Sequence, residues 1–132
     1  MLSNGWLYTA WVVGASHIRA VESAWPAPGS RIHHSFGAWP VLLTDETKVE
    51  ASEPPHRLVL LARGRPLGEA RVALTLERDG GGTLVTMTEE PVSGPGKSLH
   101  NRLLDAALKA RNDESLARLA ALAEEPTEPD RV

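Results

Sequence analysis

Cysteine is absent from the 132 residues, which excludes a disulfide framework, a thiolate nucleophile and every cysteine-based zinc site. Long hydrophobic runs are missing too: no segment approaches the roughly 20 apolar residues that a membrane-spanning helix needs. The opening Met-Leu-Ser-Asn-Gly-Trp has no charged stretch followed by an apolar one, so no secretory signal is expected. Positive charge is not in excess. The formal net charge is −3, which leaves no basic footprint for nucleic acid or an anionic membrane. The HExxH and GxSxG spacings do not occur, and the Gly80-Gly81-Gly82 run matches neither GxGxxG nor the Walker spacing. These absences lead to the expectation of a soluble cytoplasmic protein with no metal and no cofactor.

What is present suits one folded domain. Apolar residues make up 42% of the chain and charged residues 23%, the balance of an ordinary globular protein. The length allows a single core and not two. One domain over residues 1–125 is expected, followed by a short polar tail over 126–132.

Turn-forming clusters punctuate the chain up to residue 97. They lie at Pro26–Ser30, Gly37–Pro40, Ser52–Pro55, Gly64–Gly68, Asp79–Gly82 and Pro91–Gly96. Proline cannot donate to a sheet ladder and glycine accepts positive φ, so such clusters end strands. The intervening segments have strand length. Along Ala70–Glu77 one face carries Ala70, Val72, Leu74 and Leu76, and the other Arg71, Ala73, Thr75 and Glu77. Thr83–Glu89 alternates likewise, with Val85 and Met87 on one side. This is the period of half-buried antiparallel strands, and the Asp-Gly-Gly-Gly between them reads as a hairpin. Further strands are expected at His56–Arg63 and, less sharply bounded, at His17–Trp25, Ser30–Gly37 and Val41–Ala51.

The pattern then changes. From Ser98 to Glu125 neither proline nor glycine occurs and Leu and Ala dominate, which predicts one long helix. Leu104, Leu108, Leu116, Leu119 and Leu122 form its apolar stripe, with Asp105–Lys109 and Glu114–Arg118 as i,i+4 pairs. Near the start, Leu2–Val13 reads as a short aromatic helix stopped by Gly14. The fold class expected from these elements is α+β.

Several segments in this order resemble the SRPBCC superfamily, the START-like, polyketide cyclase/dehydrase-type helix-grip proteins, particularly small actinobacterial members. They are Trp11-Val12-Val13-Gly14, Trp25-Pro26-x-Pro28-Gly29-Ser30 and His34-x-x-Gly37-x-Trp39-Pro40. Glu53-Pro54-Pro55-x-Arg57-Leu58, Gly82-Thr83-x-Val85, Arg111-Asn112 and Ser115-Leu116 continue the series. The likeness runs from Trp6 to Leu122. It implies a curved antiparallel sheet around a long C-terminal helix, with an apolar cavity between them. Family members carry another strand and the first turns of a helix before the segment matching Leu2–Trp11, so the resemblance favours a chain start upstream of Met1.

Candidate site residues follow from polarity in unexpected places. His33 and His34 are neighbours on an expected strand, so they point to opposite faces and do not bind one metal together. One of them is a candidate for the cavity. Asn112 lies four residues after Leu108 and four before Leu116, and so interrupts the apolar stripe. A polar group there needs a hydrogen bond, either to a ligand at the cavity wall or to a nearby carbonyl. Glu89 continues the Val85 and Met87 face. It is either a general acid or base in the cavity or the partner of Arg63 or Arg111 at the rim.

The tryptophans at 6, 11, 25 and 39 outnumber the single tyrosine and phenylalanine; they either line a cavity for flat apolar molecules or supply core bulk. The expected ligand-binding set is Trp11, His34, Trp39, Arg63, Met87, Leu104, Leu108 and Asn112. Glu89, His33 and His34 are the candidates should the protein be catalytic. The function expected is binding of a hydrophobic small molecule, polyketide-, lipid- or aromatic-like, by a monomer or homodimer. The alternatives are a cyclase, aromatase or dehydrase and a protein-interaction module.

Overall fold

A computed structural model describes residues 2–13, 15–38, 41–64, 68–93 and 102–124, with backbone alone at 16, 36–38, 41–44, 64 and 102–105. A 3-10 turn, Gly5–Leu7, leads into the one-turn helix α1, Tyr8–Trp11. Six strands follow: β1 Ala15–Val21, β2 Arg31–Ala38, β3 Val41–Glu53, β4 Arg57–Gly64, β5 Gly68–Asp79 and β6 Gly82–Pro91. The last described element is helix α2, Arg102–Glu124. The strands form one antiparallel sheet in sequence order, β1 to β6. The protein is therefore an α+β fold: a six-stranded antiparallel sheet with a helix after it.

Alternation decides which side chains meet. In the β4–β5 ladder Leu60 pairs with Val72 and Leu58 with Leu74; in β5–β6 Leu74 pairs with Met87 and Val72 with Glu89. Side chains two residues apart share a face. Ile32, Thr47, Val49, Leu58, Leu60, Val72 and Leu74 are all buried on this inner face. Tyr8 and Trp11 of α1, Ala15 of β1 and Leu119 of α2 pack into the same core, with Leu116, Leu122, Val85 and Met87 at its margin. Burying each large apolar side chain contributes about 1.5–3 kcal/mol. The outer face carries charge, including Arg71 of β5 between Glu50 of β3 and Glu90 of β6 at 2.7 and 3.1 Å.

The expected hairpin closes as a two-residue turn. Asp79 pairs with Gly82, and Gly80 between them has φ +56°, a conformation in which a side chain is strained. Two expectations are corrected. The first strand ends at Val21, short of Trp25, because residues 22–30 fold into successive turns, which Pro26 and Pro28 accommodate: Trp25 N–H donates to Glu22 O and Ala27 N–H to Ala24 O, at 3.0 and 2.7 Å. The opening helix is one 3-10 turn and one α-turn, begun where the Asn4 side chain accepts from Trp6 N–H. Glu114–Arg118 pairs as expected at 3.0 Å and Lys109 meets Asp113 at 2.7 Å, while the side chain of Asp105, the other expected partner of Lys109, lies outside the described residues.

None of the described helices is long and apolar enough to cross a membrane.

Candidate functional site

Polar side chains interrupt the inner face where β2 meets β3. His34 of β2 and Thr47 of β3 are buried there, in strands whose register pairs Ile32 with Thr47 and His34 with Asp45. Thr47 Oγ1 lies 3.0 Å from His34 Nε2 and 3.0 Å from the Tyr8 hydroxyl. The Tyr8 ring stacks on the His34 imidazole at a centroid distance of 5.4 Å, and its other neighbour, Trp11, meets it edge-on at 5.7 Å. The turn of α1 thus lays the Tyr8 ring over a histidine–threonine pair in the sheet, with Trp11 edge-on against Tyr8.

Burial sets the protonation of this cluster. Desolvation pushes the Tyr8 phenol above its ordinary range, against the pull of its Thr47 hydrogen bond, so the phenol stays neutral. Desolvation also pushes His34 below its ordinary value, opposed by the Asp45 charge and a backbone hydrogen bond at Ser35. The imidazole is held neutral at physiological pH. The Thr47 hydroxyl has one proton to donate, so it serves as donor to at most one of its two partners.

A second polar pair stands on the same side. Glu89 of β6, with 7% of its side chain exposed, receives both its hydrogen bonds from Arg111 Nη2 on α2, at 2.6 and 2.7 Å. Arg111 and Glu89 both act electrostatically on Tyr8, which ties the two groups into one region between sheet and helix. The next residue on α2, Asn112, has its Oδ1 buried with no hydrogen-bond partner among the described residues. One turn on, the buried Ser115 hydroxyl accepts from Val13 N–H at 3.1 Å and fastens α2 to the end of α1.

The structure distributes the expected residues unevenly. Trp11 is buried in the core beside Tyr8, and His34 and Glu89 point inward. Met87 and Leu108 are half-buried, Met87 against the core. Arg63 alternates out of phase with the inward Leu60. Its guanidinium lies 3.6 Å from Glu69, 3.9 Å from Asp45 and 4.0 Å from Glu46, within the ion pairs of the sheet. His33 lies on the face opposite His34, 3.8 Å from Glu46. Trp39 and the Leu104 side chain fall outside the described residues. Tyr8 and Thr47, which complete the cluster, were not among the expected site residues. Their contact joins positions 39 residues apart, and no local spacing announces it.

Among the described residues no group of three or more metal-ligating side chains is arranged to hold a metal ion. No known family's sequence profile matches the chain, and no curated protein matches it either.

Proposed function

We propose that this chain is a helix-grip protein of the SRPBCC type that binds a small, mainly apolar molecule between the inner face of the sheet and α2. The observation that carries this reading is Asn112 Oδ1, a buried oxygen without a partner among the described residues, on the helix that follows a sheet lined by leucine and valine. A buried acceptor left unpaired costs about 1–3 kcal/mol, and a ligand N–H or O–H removes that cost. Both oxygens of the neighbouring Glu89 carboxylate are already satisfied by Arg111. They make one wall polar without competing for the same donor. The ligand class that follows is a compact hydrophobic body, aromatic or polyketide-like, with a hydroxyl at one end.

The test compares 2-naphthol with naphthalene by native mass spectrometry and thermal shift. Wild-type protein binds the hydroxylated molecule in preference to its parent, and Asn112→Leu erases the preference while retaining the apolar affinity. Equal behaviour of the two molecules with wild-type protein, or no binding of either, overturns the reading. Incubation of the bound complex followed by product analysis tests the cyclase or dehydrase alternative, which requires turnover that Glu89→Gln abolishes.

A further inference from the structure

A recess lies at the start of the chain, at the end of the sheet where Val21 pairs with Ile32. It has a volume of about 300 Å³ and is lined by Ser3, Asn4, Trp6, Glu22 and Trp25 among others, a size at the lower end of small-molecule sites. Trp6 is 59% exposed, a large indole left in water beside a cleft. Trp25 is half-buried, and its Nε1 donates to Leu2 O at 3.3 Å, which fixes the ring. Gly5 forms part of the lining by close approach: a Cβ there would stand 2.8 Å from Val21 Cγ1 and 3.3 Å from Trp25 Cδ1. The backbone around the recess is pinned as well. Glu22 N–H donates to Arg31 O at 3.0 Å, Trp25 N–H to Glu22 O at 3.0 Å, and Trp6 N–H to the Asn4 side chain at 3.2 Å.

The charge of the lining decides the ligand. Glu22 is its one ionisable side chain, and among the described residues no cation lies within ion-pair distance of it. An anion would be repelled by the carboxylate and would find no positive charge among the lining side chains. A metal ion would meet one carboxylate and no imidazole, too few strong ligands to replace its water. An organic ammonium ion suits all three groups, because its charge is attracted by the indole quadrupole and by the carboxylate, and its weakly hydrated surface is readily covered by aromatic rings. We propose that the Trp6–Trp25–Glu22 recess is a binding site for a small organic ammonium ion. This proposal does not depend on the function proposed for the inner face.

Titration calorimetry with tetramethylammonium chloride at low ionic strength tests the site, with tert-butanol as an uncharged body of similar shape and sodium chloride as the salt control. Saturable binding of tetramethylammonium, absent for tert-butanol and sodium chloride, is expected. Trp6→Ala and Glu22→Gln each weaken it about five- to tenfold. Glu22→Gln keeps the shape of its site and carries the test should Trp6→Ala fail to fold, as judged by circular dichroism. Tert-butanol binding as tightly as the cation, Glu22→Gln binding like wild type, or no saturable signal with tetramethylammonium would each overturn the proposal.

Discussion

Arg111 on α2 grips the buried carboxylate of Glu89 on β6 through a single nitrogen, Nη2, at 2.6 and 2.7 Å from its two oxygens. The two residues are 22 positions apart, and the pair joins the helix to the last strand of the sheet. Glu89 occupies the inward position opposite Val72, so without Arg111 the sheet would present a bare charge to its own core. Removing one member of a buried pair costs far more than the pair contributes, because the survivor keeps its desolvation without its partner.

Arg111→Met is therefore expected to lower stability by about 3 kcal/mol, the lower end for breaking a buried pair, since the guanidinium is one-third exposed. Glu89→Gln combined with Arg111→Met should restore at least half of that loss. Urea unfolding of the wild type and the two variants at neutral pH measures both. A loss below about 1 kcal/mol for Arg111→Met would class the contact with ordinary surface ion pairs and contradict this account.

The Thr47 hydroxyl serves two buried partners at once, Tyr8 and His34. Thr47→Val keeps the shape and removes the hydroxyl, which leaves a phenol and an imidazole nitrogen each short of a bond. The expected loss is about 2–4 kcal/mol, from two unsatisfied buried groups. In the Tyr8→Phe background the same substitution should cost clearly less, because one of the two orphaned groups is already gone. Additive losses in that double-mutant cycle would show that Thr47 does not couple the ring to the sheet.

Much of this arrangement is legible in the amino-acid order because the period of a strand is local. The alternation Val72, Leu74 on β5 and Val85, Met87 on β6 identifies the inner face, and extending it by two places predicts that Glu89 is on that face. The helical spacing of Leu108 and Leu116 likewise marks Asn112 as the polar interruption. What spacing does not convey is which elements meet. Glu89 is equally placed by sequence to reach Arg63 or Arg111, and only the docking of α2 beside β6 decides for Arg111. Arg63 belongs instead with Glu69, opposite it in the β4–β5 register. Tyr8 reads as one aromatic residue in an apolar opening segment until α1 folds back over β2 and β3. Boundaries shift for a different reason: Pro26 and Pro28 allow a chain of turns as readily as a strand end, and the turns begin at Glu22.

Gly5 illustrates how closely the opening turn is fitted to the sheet. A methyl group at this position would stand 2.8 Å from Val21 Cγ1 and 3.2 Å from Ile32 Cδ1, and Ile32 is fully buried. Val21 is branched at Cβ and has few alternative rotamers. Gly5→Ala should accordingly destabilise the fold by about 1–3 kcal/mol through overpacking, even though alanine is the better residue for a helical turn. Thermal unfolding measures it; a rise in melting temperature would mean that helix propensity outweighs the clash.

Acid sensitivity should trace to His34. Its pKa in the folded protein lies below the ordinary 6.5, chiefly because burial disfavours the charged imidazolium. As pH falls below about 6.5 the unfolded chain takes up a proton at this residue that the folded chain does not. The unfolded state then binds more protons, so stability declines with falling pH, and the decline ends once the folded protein also protonates at its lowered value. The slope in that window is at most about 1.4 kcal/mol per pH unit for one proton. Glu50 contributes a separate loss at more acid pH, because its Arg71 hydrogen bonds hold its pKa below 4.5 and that stabilisation disappears as the carboxylate protonates. The two are separated by His34→Gln, which removes the first titration, keeps an amide able to reach Thr47, and leaves the second in place. Urea midpoints measured from pH 7.5 down to pH 4 should show a flattened upper segment in this variant. An upper segment as steep as in the wild type would assign the acid sensitivity to another group.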